Sequence, residues 1–295
     1  MSRRSFTFNL SPKQLINLAF GSLRVQRTQT TVASSICGMM LSRVLDVRIA
    51  FLALAVFLFH ASAGVLNDIA DYEADRINAP DRPLAKGIVT TKQAKVLVIG
   101  LIVSALFFAW LLSPWFFLIG VALGLPIEIL YNYYLNLKNT SLGSFFYLSS
   151  SVSPIPFLVG CLVSGNLTMN TVAFAILLLP LSMCIALGSF KDAEGDRKVG
   201  KRTFVVALGE KKASQLMAAL LLTSILAYLA PVTLFSFSPV FLVLTIPHMI
   251  IRGILAHSVV SDHSVLNARR MVVIARLLIV SDHVALVLMR PAAGI

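Results

Sequence analysis

Residues 49–78 read IAFLALAVFLFHASAGVLNDIADYEADRIN, and this stretch decides the fold class. Its first 18 residues are almost wholly apolar, and the nine that follow carry Asn67, Asp68, Asp71 and Asp75. An α-helix needs about 20 consecutive apolar residues to cross a bilayer. The sequence therefore predicts a membrane-spanning helix that ends in a cluster of carboxylates.

The whole chain has the composition of a polytopic membrane protein. Of its 295 residues, 57% are hydrophobic and 13% are charged, whereas a soluble domain carries about 25% charged residues. This composition argues against a water-soluble globule, a disordered chain and a secreted disulfide scaffold. We predict an all-α fold, a single domain over residues 1–295, with nine membrane-spanning segments. These segments are 28–46, 49–66, 93–112, 115–133, 142–164, 170–190, 213–234, 238–256 and 268–289.

The basic residues predict the orientation in the membrane. Twenty-one of the 25 Lys and Arg residues lie in the N-terminal segment 1–27 or in every second connection, 68–95, 136–141, 191–212 and 252–270. Basic loops stay on the cytoplasmic side, so we expect a cytoplasmic N-terminus and a multi-pass protein of the inner or cytoplasmic membrane. The net charge of +12 is divided among membrane loops, which argues against a nucleic-acid partner.

Two acidic motifs each follow an apolar segment and precede a basic loop. In the first motif, Asp68, Asp71 and Asp75 fall within an arc of roughly 60° if the chain is helical. In the second, Asp192 and Asp196 are one helical turn apart and share a face. Their recurrence suggests two halves of the protein that face one site.

The chemistry of these motifs fits a metal–diphosphate complex. Mg²⁺ prefers oxygen ligands and commonly bridges carboxylates to substrate phosphates, and Arg and Lys bind phosphate oxygens. A solvated helix end would explain either acidic motif alone. Two motifs on the same predicted side of the membrane favour a shared site for a metal and a phosphate.

Four separated segments resemble the UbiA superfamily of intramembrane prenyltransferases, along almost the whole chain. The first is Asn67-Asp68-x-x-Asp71-x-x-x-Asp75, followed by NAPDRPLAKG at 78–87. The second is Asp192-x-x-x-Asp196-Arg197-x-x-Gly200-x-x-Thr203. The others are Tyr131 and Tyr134 leading to Lys138, and Arg27 at the start of the first span.

The resemblance implies nine helices around a central cavity, with cytoplasmic Asp-rich loops at 67–92 and 189–212 as a cap. It implies Mg²⁺, a polyprenyl diphosphate donor, a lipophilic or aromatic acceptor, and contact with membrane lipid. The implied metal ligands are Asn67, Asp68, Asp71, Asp75, Asp192 and Asp196. The implied diphosphate-binding residues are Arg27, Arg82, Lys86, Tyr131, Lys138, Lys191 and Arg197, with Lys201 and Arg202 as further candidates. The implied catalytic residues are Asp68, Asp71, Asp192, Lys138 and Tyr134.

The chain departs from the family pattern at two positions. Ser189 stands where the second motif usually begins with Asp, and Thr28 stands where Pro usually follows the first-helix Arg. His60 is expected to pack through a hydrogen bond rather than to act as a base. The polar residues of the last span, Arg276, Asp282 and His283, match nothing in the pattern, and we assign them no function.

Several acceptors are compatible with the same donor site. The leading interpretation is an aromatic precursor of a quinone or chromophore. A glycerol-phosphate lipid, as in archaeal ether-lipid synthesis, is an alternative, and a terpene cyclase of this superfamily would need no acceptor. A transporter would place charges near the bilayer midplane and in broken helices, whereas these acidic motifs fall at helix ends.

Overall fold

The computed structural model describes residues 25–131 and 137–291, which form helices joined by turns. Long helices cross the bundle, and two helices are short: α3 contains the end of the first acidic motif, and α8 follows the second motif. In chain order the helices are α1 (Val25–Leu41), α2 (Arg48–Ala70), α3 (Tyr72–Asn78), α4 (Thr91–Leu112), α5 (Pro114–Ile127), α6 (Ser141–Val163), α7 (Met169–Lys198), α8 (Phe204–Leu208), α9 (Glu210–Phe235), α10 (Val240–Ser261) and α11 (Val265–Leu288).

Seven of these helices, α2, α4, α6, α7, α9, α10 and α11, are long and apolar enough to cross a membrane. The prediction of an all-α membrane protein is confirmed. The predicted spans 28–46 and 115–133 are largely helical, but α1 has only 17 described residues and α5 is also a short apolar helix. The predicted number of nine spans is therefore not reached among the described residues. The side of the membrane that the N-terminus occupies stays a prediction.

The outer faces of the helices are suited to lipid. On α4, large apolar side chains are exposed at three- and four-residue spacing, which places them on one face of the helix. These residues are Val96, Ile99, Val103, Phe107 and Trp110. Such a continuous apolar surface would be unfavourable in water and is favourable against acyl chains.

Helix α1 lies inside the bundle and packs against α2, α6 and α11. Its contact with α6 is close because a glycine on each helix faces the backbone of the other helix. A Cβ atom at Gly160 would lie 2.0 Å from the Ser35 carbonyl oxygen, and one at Gly38 would lie 2.1 Å from the Phe157 carbonyl oxygen. Small residues allow this kind of approach between membrane helices.

The two acidic motifs lie at the same end of the bundle. Helix α2 ends at the first motif, and the chain continues into α3 after Asp71. Helix α7 contains Pro180, tightens into a 3₁₀ turn at Met183–Leu187 and then continues through the second motif to Lys198. This last part of α7 packs against α3 and α11, which brings the two motifs together.

Arg252 belongs both to the predicted span 238–256 and to the predicted basic connection 252–270, and the structure places it in the span. It lies inside α10 and is 0% exposed, and the helix continues to Ser261. Its Nη2 atom donates to Asp282 Oδ2 at 2.8 Å and to the Leu181 carbonyl oxygen at 3.0 Å. An arginine is tolerated at this depth because a carboxylate from α11 neutralises it.

Asp282 and His283, which the sequence left without a role, connect helices. The Tyr228 hydroxyl donates to Asp282 Oδ1 at 2.5 Å, and His248 Nδ1 lies 2.7 Å from the same oxygen. His283 Nε2 lies 3.0 Å from Ser153 Oγ on α6. Both residues therefore stabilise the packing of α11 against its neighbours.

Candidate active site

The first acidic motif is organised around Arg82, from the loop that follows α3. Its Nη1 atom lies 3.0 Å from Asp68 Oδ1 and also binds Asp75 Oδ2. Asp68 is 5% exposed and Asp75 is 7% exposed, so both carboxylates are largely removed from water. Buried carboxylates need paired positive charge, which Arg82 supplies to both.

The second acidic motif has its own basic partner. Lys191 Nζ lies 2.5 and 2.6 Å from the two carboxylate oxygens of its neighbour Asp192. Both residues line a cavity, and Asn67 of the first motif lines the same cavity. This end of α7 therefore presents a carboxylate and an ammonium side by side.

Lys201 joins the two motifs. Its Nζ atom lies 2.5 Å from Asp71 Oδ1 of the first motif and 3.6 Å from Asp196 Oδ1 of the second. The Thr203 hydroxyl donates to Asp196 Oδ2 at 3.2 Å. One ammonium thus lies between carboxylates that are 125 residues apart in the sequence, and the two acidic motifs meet at this side chain.

Asn78 holds the backbone of the second motif against α3. Its Nδ2 atom donates to the Asp192 carbonyl oxygen at 2.8 Å, and its Oδ1 atom accepts from the Gly195 amide at 2.8 Å. A Cβ atom at Gly195 would lie 2.4 Å from Asn78 Oδ1. The glycine therefore allows the close contact that fixes the spacing of the motifs.

A polar cavity of about 180 Å³ opens between the motifs and the bundle. Asn67, Lys191, Asp192, Tyr131 and Arg276 are among the residues that line it. The Tyr131 ring stacks on Tyr147, with the ring centroids 3.7 Å apart. Charged, amide and aromatic groups thus face one space beside the acidic motifs.

An apolar cavity of about 280 Å³ adjoins the polar one. Phe59, Leu106, Phe116, Leu123 and Ile127 are among its lining residues and come from α2, α4 and α5. The two cavities share four lining residues at their junction, which are His60, Ala63, Tyr147 and Ser151. A charged space therefore leads directly into a hydrocarbon-like one.

His60 lies at this junction, where its Nδ1 atom is 3.4 Å from the Thr31 hydroxyl oxygen. This contact agrees with the expected packing role, and the side chain also faces both cavities.

The donor set at the motifs suits Mg²⁺. The candidate ligand atoms are all oxygens. The Lys201 ammonium lies between the carboxylates of Asp71 and Asp196, and the negative charge of the same carboxylates could neutralise a divalent cation. No group of three or more His, Cys, Asp or Glu side chains that could hold an ion occurs over residues 25–131 and 137–291. Carboxylate and amide oxygens such as those of the two motifs are groups that commonly bind Mg²⁺ together with substrate phosphates.

Some of the residues implied by the resemblance lie away from the cavities. Lys86 is 57% exposed and lies 3.8 Å from Asp81, and Arg197 is 56% exposed and lies 3.7 Å from Glu210. Arg202 is exposed as well. Tyr134 lies outside the described residues, as do the side chains of Arg27 and Lys138.

Sequence reasoning assigned no role to Asn78 or Thr203, although both belong to the quoted motifs. Their position within those motifs was the available signal, since a polar residue beside several carboxylates often orients them. Arg276 is a charge inside an apolar segment, which by itself indicates a candidate functional residue. Its neighbours depend on how the helices pack and cannot be identified from the sequence.

Residues 31–278 match the UbiA prenyltransferase family. The digeranylgeranylglyceryl phosphate synthase of Thermococcus kodakarensis is 28% identical over 180 residues, which are 61% of this chain and 63% of that protein. The synthase of the same name from Natronomonas pharaonis is 29% identical over 200 residues, which are 67% of this chain and 70% of that protein. The match thus spans somewhat less than two thirds of the Thermococcus protein.

Solved structures share the fold. A UbiA homolog from Archaeoglobus fulgidus, solved bound to GPP and Mg²⁺, has a TM-score of 0.69 to this structure, with 17% sequence identity. The superposition covers 90% of this chain and 98% of that one. The helical bundle described above is therefore that of this group of proteins.

Proposed function

Because the chain belongs to the UbiA prenyltransferase family, we propose that it transfers a prenyl group from a polyprenyl diphosphate to a glycerol-phosphate lipid. One observation carries the donor half of this proposal. Two acidic motifs meet at Lys201, beside a polar cavity that leads into an apolar one. A substrate with a diphosphate head and a hydrocarbon tail matches this arrangement.

The relatives support the glycerol-phosphate acceptor. Both of those described above are digeranylgeranylglyceryl phosphate synthases, whereas an aromatic acceptor was the leading interpretation of the sequence. We therefore favour the lipid acceptor and treat the aromatic acceptor and the terpene cyclase as outcomes of the test.

The basic residues at the motifs would hold the donor diphosphate. Arg82, Lys191 and Lys201 are now paired with carboxylates, and each could turn to a phosphate oxygen when a metal ion neutralises those carboxylates. The residues proposed to bind Mg²⁺ are the six implied by the family resemblance: Asn67, Asp68, Asp71, Asp75, Asp192 and Asp196. Mg²⁺, when bound, supplies positive charge that stabilises the leaving diphosphate.

Cleavage of the allylic C–O bond separates a diphosphate anion from a delocalised carbocation. Arg82, Lys191 and Lys201 would stabilise the anion, as preorganised positive charge does in a site that excludes water. Tyr147 lies at the junction of the cavities and Tyr131 stacks on it from the polar cavity, where the ring faces could stabilise the cation. The lipid hydroxyl would then attack the prenyl carbon to form an ether C–O bond and pass its proton to the released diphosphate.

The prenyl tail would lie in the apolar cavity. Its lining of Phe59, Leu106 and Phe116 offers favourable burial, and burial of hydrocarbon contributes about 0.8 kcal/mol per CH₂ group. By the distribution of basic residues, the mouth of the site would face the cytoplasm.

The test is a product analysis with purified protein and Mg²⁺. Radiolabelled geranyl, farnesyl and geranylgeranyl diphosphates would each be supplied alone, with geranylgeranylglyceryl phosphate, or with a hydroxybenzoate. The proposal predicts a labelled product only with the glycerol-phosphate lipid. A product with the hydroxybenzoate alone, a cyclic hydrocarbon formed without acceptor, or no consumption of any diphosphate would each refute it.

A further inference from the structure

Arg276 is a charged residue inside a membrane-spanning helix that the donor site does not use. It is the twelfth residue of α11, so it lies about 16 Å along the axis from the start of that helix. A charge at such a depth is unfavourable unless it is paired or faces a polar cavity, and residues of this kind usually mark a functional site.

Arg276 is half-buried, and its surroundings differ from those of Arg252, which is fully buried. Arg252 donates to Tyr228, Ser224, Leu181 and Asp282 through its three guanidinium nitrogens. Arg276 Nε is also buried, but it has no hydrogen-bond partner in the described part of the chain. Its side chain lines the polar cavity together with Asn67, Lys191 and Asp192.

The carboxylate of Asp192 borders the same cavity but is bound on both oxygens by Lys191, at 2.5 and 2.6 Å. Arg276 therefore brings donors into the cavity from α11, on a different helix from the residues that pair with the acidic motifs. A planar guanidinium can bind a phosphate through two parallel hydrogen bonds.

We propose that Arg276 binds the phosphate group of the acceptor lipid, an inference that rests on the proposed function. In a glycerol phosphate that carries one ether-linked chain, the free hydroxyl is at most two carbons from the phosphate-bearing carbon. When that hydroxyl attacks the prenyl carbon, the phosphate must lie in the same cavity. Two anionic substrates repel each other, so a second cation is needed besides those at the acidic motifs.

The chemistry also explains why a basic residue would lie deep in the bundle. In the proposed function, Arg82, Lys191 and Lys201 hold the donor diphosphate at the helix ends, where they now pair with carboxylates. The acceptor phosphate would lie on the α11 side of the cavity, against Arg276. The two anions would thus be held by different cations, with the reacting atoms between them.

The experiment uses the purified full-length protein with Mg²⁺ and geranylgeranyl diphosphate. Two acceptors are compared, geranylgeranylglyceryl phosphate and its phosphate-free counterpart, geranylgeranylglycerol. The variants are Arg276→Gln and Arg276→Lys, with Arg269→Gln as the matched control, because Arg269 is exposed on the same helix. KM is measured separately for donor and acceptor.

Loss of hydrogen bonds to a charged group weakens binding by roughly 10- to 100-fold. We expect Arg276→Gln to raise the acceptor KM by this factor, to leave the donor KM within about twofold of the wild type, and to remove most of the preference for the phosphorylated acceptor. Arg276→Lys should fall between Arg276→Gln and the wild type, since it keeps the charge and loses the planar fork. Arg269→Gln should match the wild type.

Two results would overturn the assignment while leaving the proposed function intact. One is a wild-type acceptor KM with a raised donor KM, which would place Arg276 at the diphosphate. The other is an unchanged preference for the phosphorylated acceptor in Arg276→Gln, or in Arg276→Lys if the glutamine variant does not fold. Failure of the wild-type protein to use any glycerol-phosphate acceptor would instead refute the proposed function itself.

Discussion

Two clusters of charge in this protein have similar compositions and different surroundings. At the acidic motifs, Asp68, Asp71 and Asp192 are each paired with a lysine or arginine next to a cavity. Inside the bundle, Asp282 is paired with Arg252, and neither residue lines the two cavities described above. We call the second cluster, Arg252, Asp282, Tyr228 and His248, the buried network.

The two clusters differ in their position relative to the cavities and in the partners described for their carboxylates. Asp282 is bound by an arginine, a tyrosine and a histidine from α9 and α10, and it is 3% exposed. At the acidic motifs, Asp68, Asp192 and Asp71 pair with Arg82, Lys191 and Lys201, whose long side chains lie near the polar cavity. A network enclosed between helices stabilises a fold, whereas ion pairs beside a cavity can exchange partners when a ligand binds.

The largest expected effect follows from breaking the buried network. Asp282→Ala leaves Arg252 as an uncompensated buried charge, and such a loss costs about 3–5 kcal/mol of stability. We expect a large fall in the thermal midpoint in detergent, with near-normal turnover per folded molecule. The double variant Arg252→Met with Asp282→Leu should be more stable than the single variant, since it removes both charges. A wild-type midpoint for Asp282→Ala would contradict a structural role.

Substitution in the acidic motifs should have the opposite effect, with a large loss of activity and little loss of stability. Asp192→Ala is expected to lower kcat/KM by about 100- to 1,000-fold, the usual cost of losing one group that stabilises charge in a transition state, while the thermal midpoint changes little. The control is Glu194→Ala, two residues away on the same helix, where the exposed carboxylate pairs with Lys198 at 2.6 Å. An exposed pair contributes about 0–1 kcal/mol, so this variant should remain active. Equal activities of the two variants would contradict the assignment.

The position of the acidic motifs at helix ends could be predicted from the sequence, for a physical reason. Asp68 and Asp71 end an apolar run, and carboxylates at that boundary are visible in one dimension. Lys201 was only a further candidate, because its position between Asp71 and Asp196 depends on how α2 and α7 pack.

The buried network could not be predicted in the same way. Hydropathy treats Arg252 as the end of a span, since its partner Asp282 is 30 residues away in the sequence. The contacts of Asn78 with the second motif and the cavity around Arg276 likewise depend on tertiary packing. A family resemblance identifies the motif residues but does not show which side chains support them.

A smaller effect is expected where the two motifs are held together. Asn78→Ala removes both hydrogen bonds to the backbone of the second motif. Leaving a buried polar group without its partner costs about 1–3 kcal/mol of stability. We expect kcat/KM to fall by roughly tenfold and the thermal midpoint to fall by a few degrees. Gly195→Ala should have a similar effect, because its methyl group would lie 2.4 Å from Asn78 Oδ1. Full activity in both variants would show that this contact does not position the site.

The central claim is that both acidic motifs bind one diphosphate together with Mg²⁺. The most direct test is the Kd of a non-cleavable donor, geranylgeranyl thiodiphosphate, titrated calorimetrically at several Mg²⁺ concentrations. The wild type should show Mg²⁺-dependent binding, and Asp71→Asn and Asp196→Asn should each weaken it by at least about tenfold. The double variant should be less impaired than the sum of the two single effects, as for residues that share a ligand. A wild-type Kd and Mg²⁺ dependence in either single variant would contradict the claim.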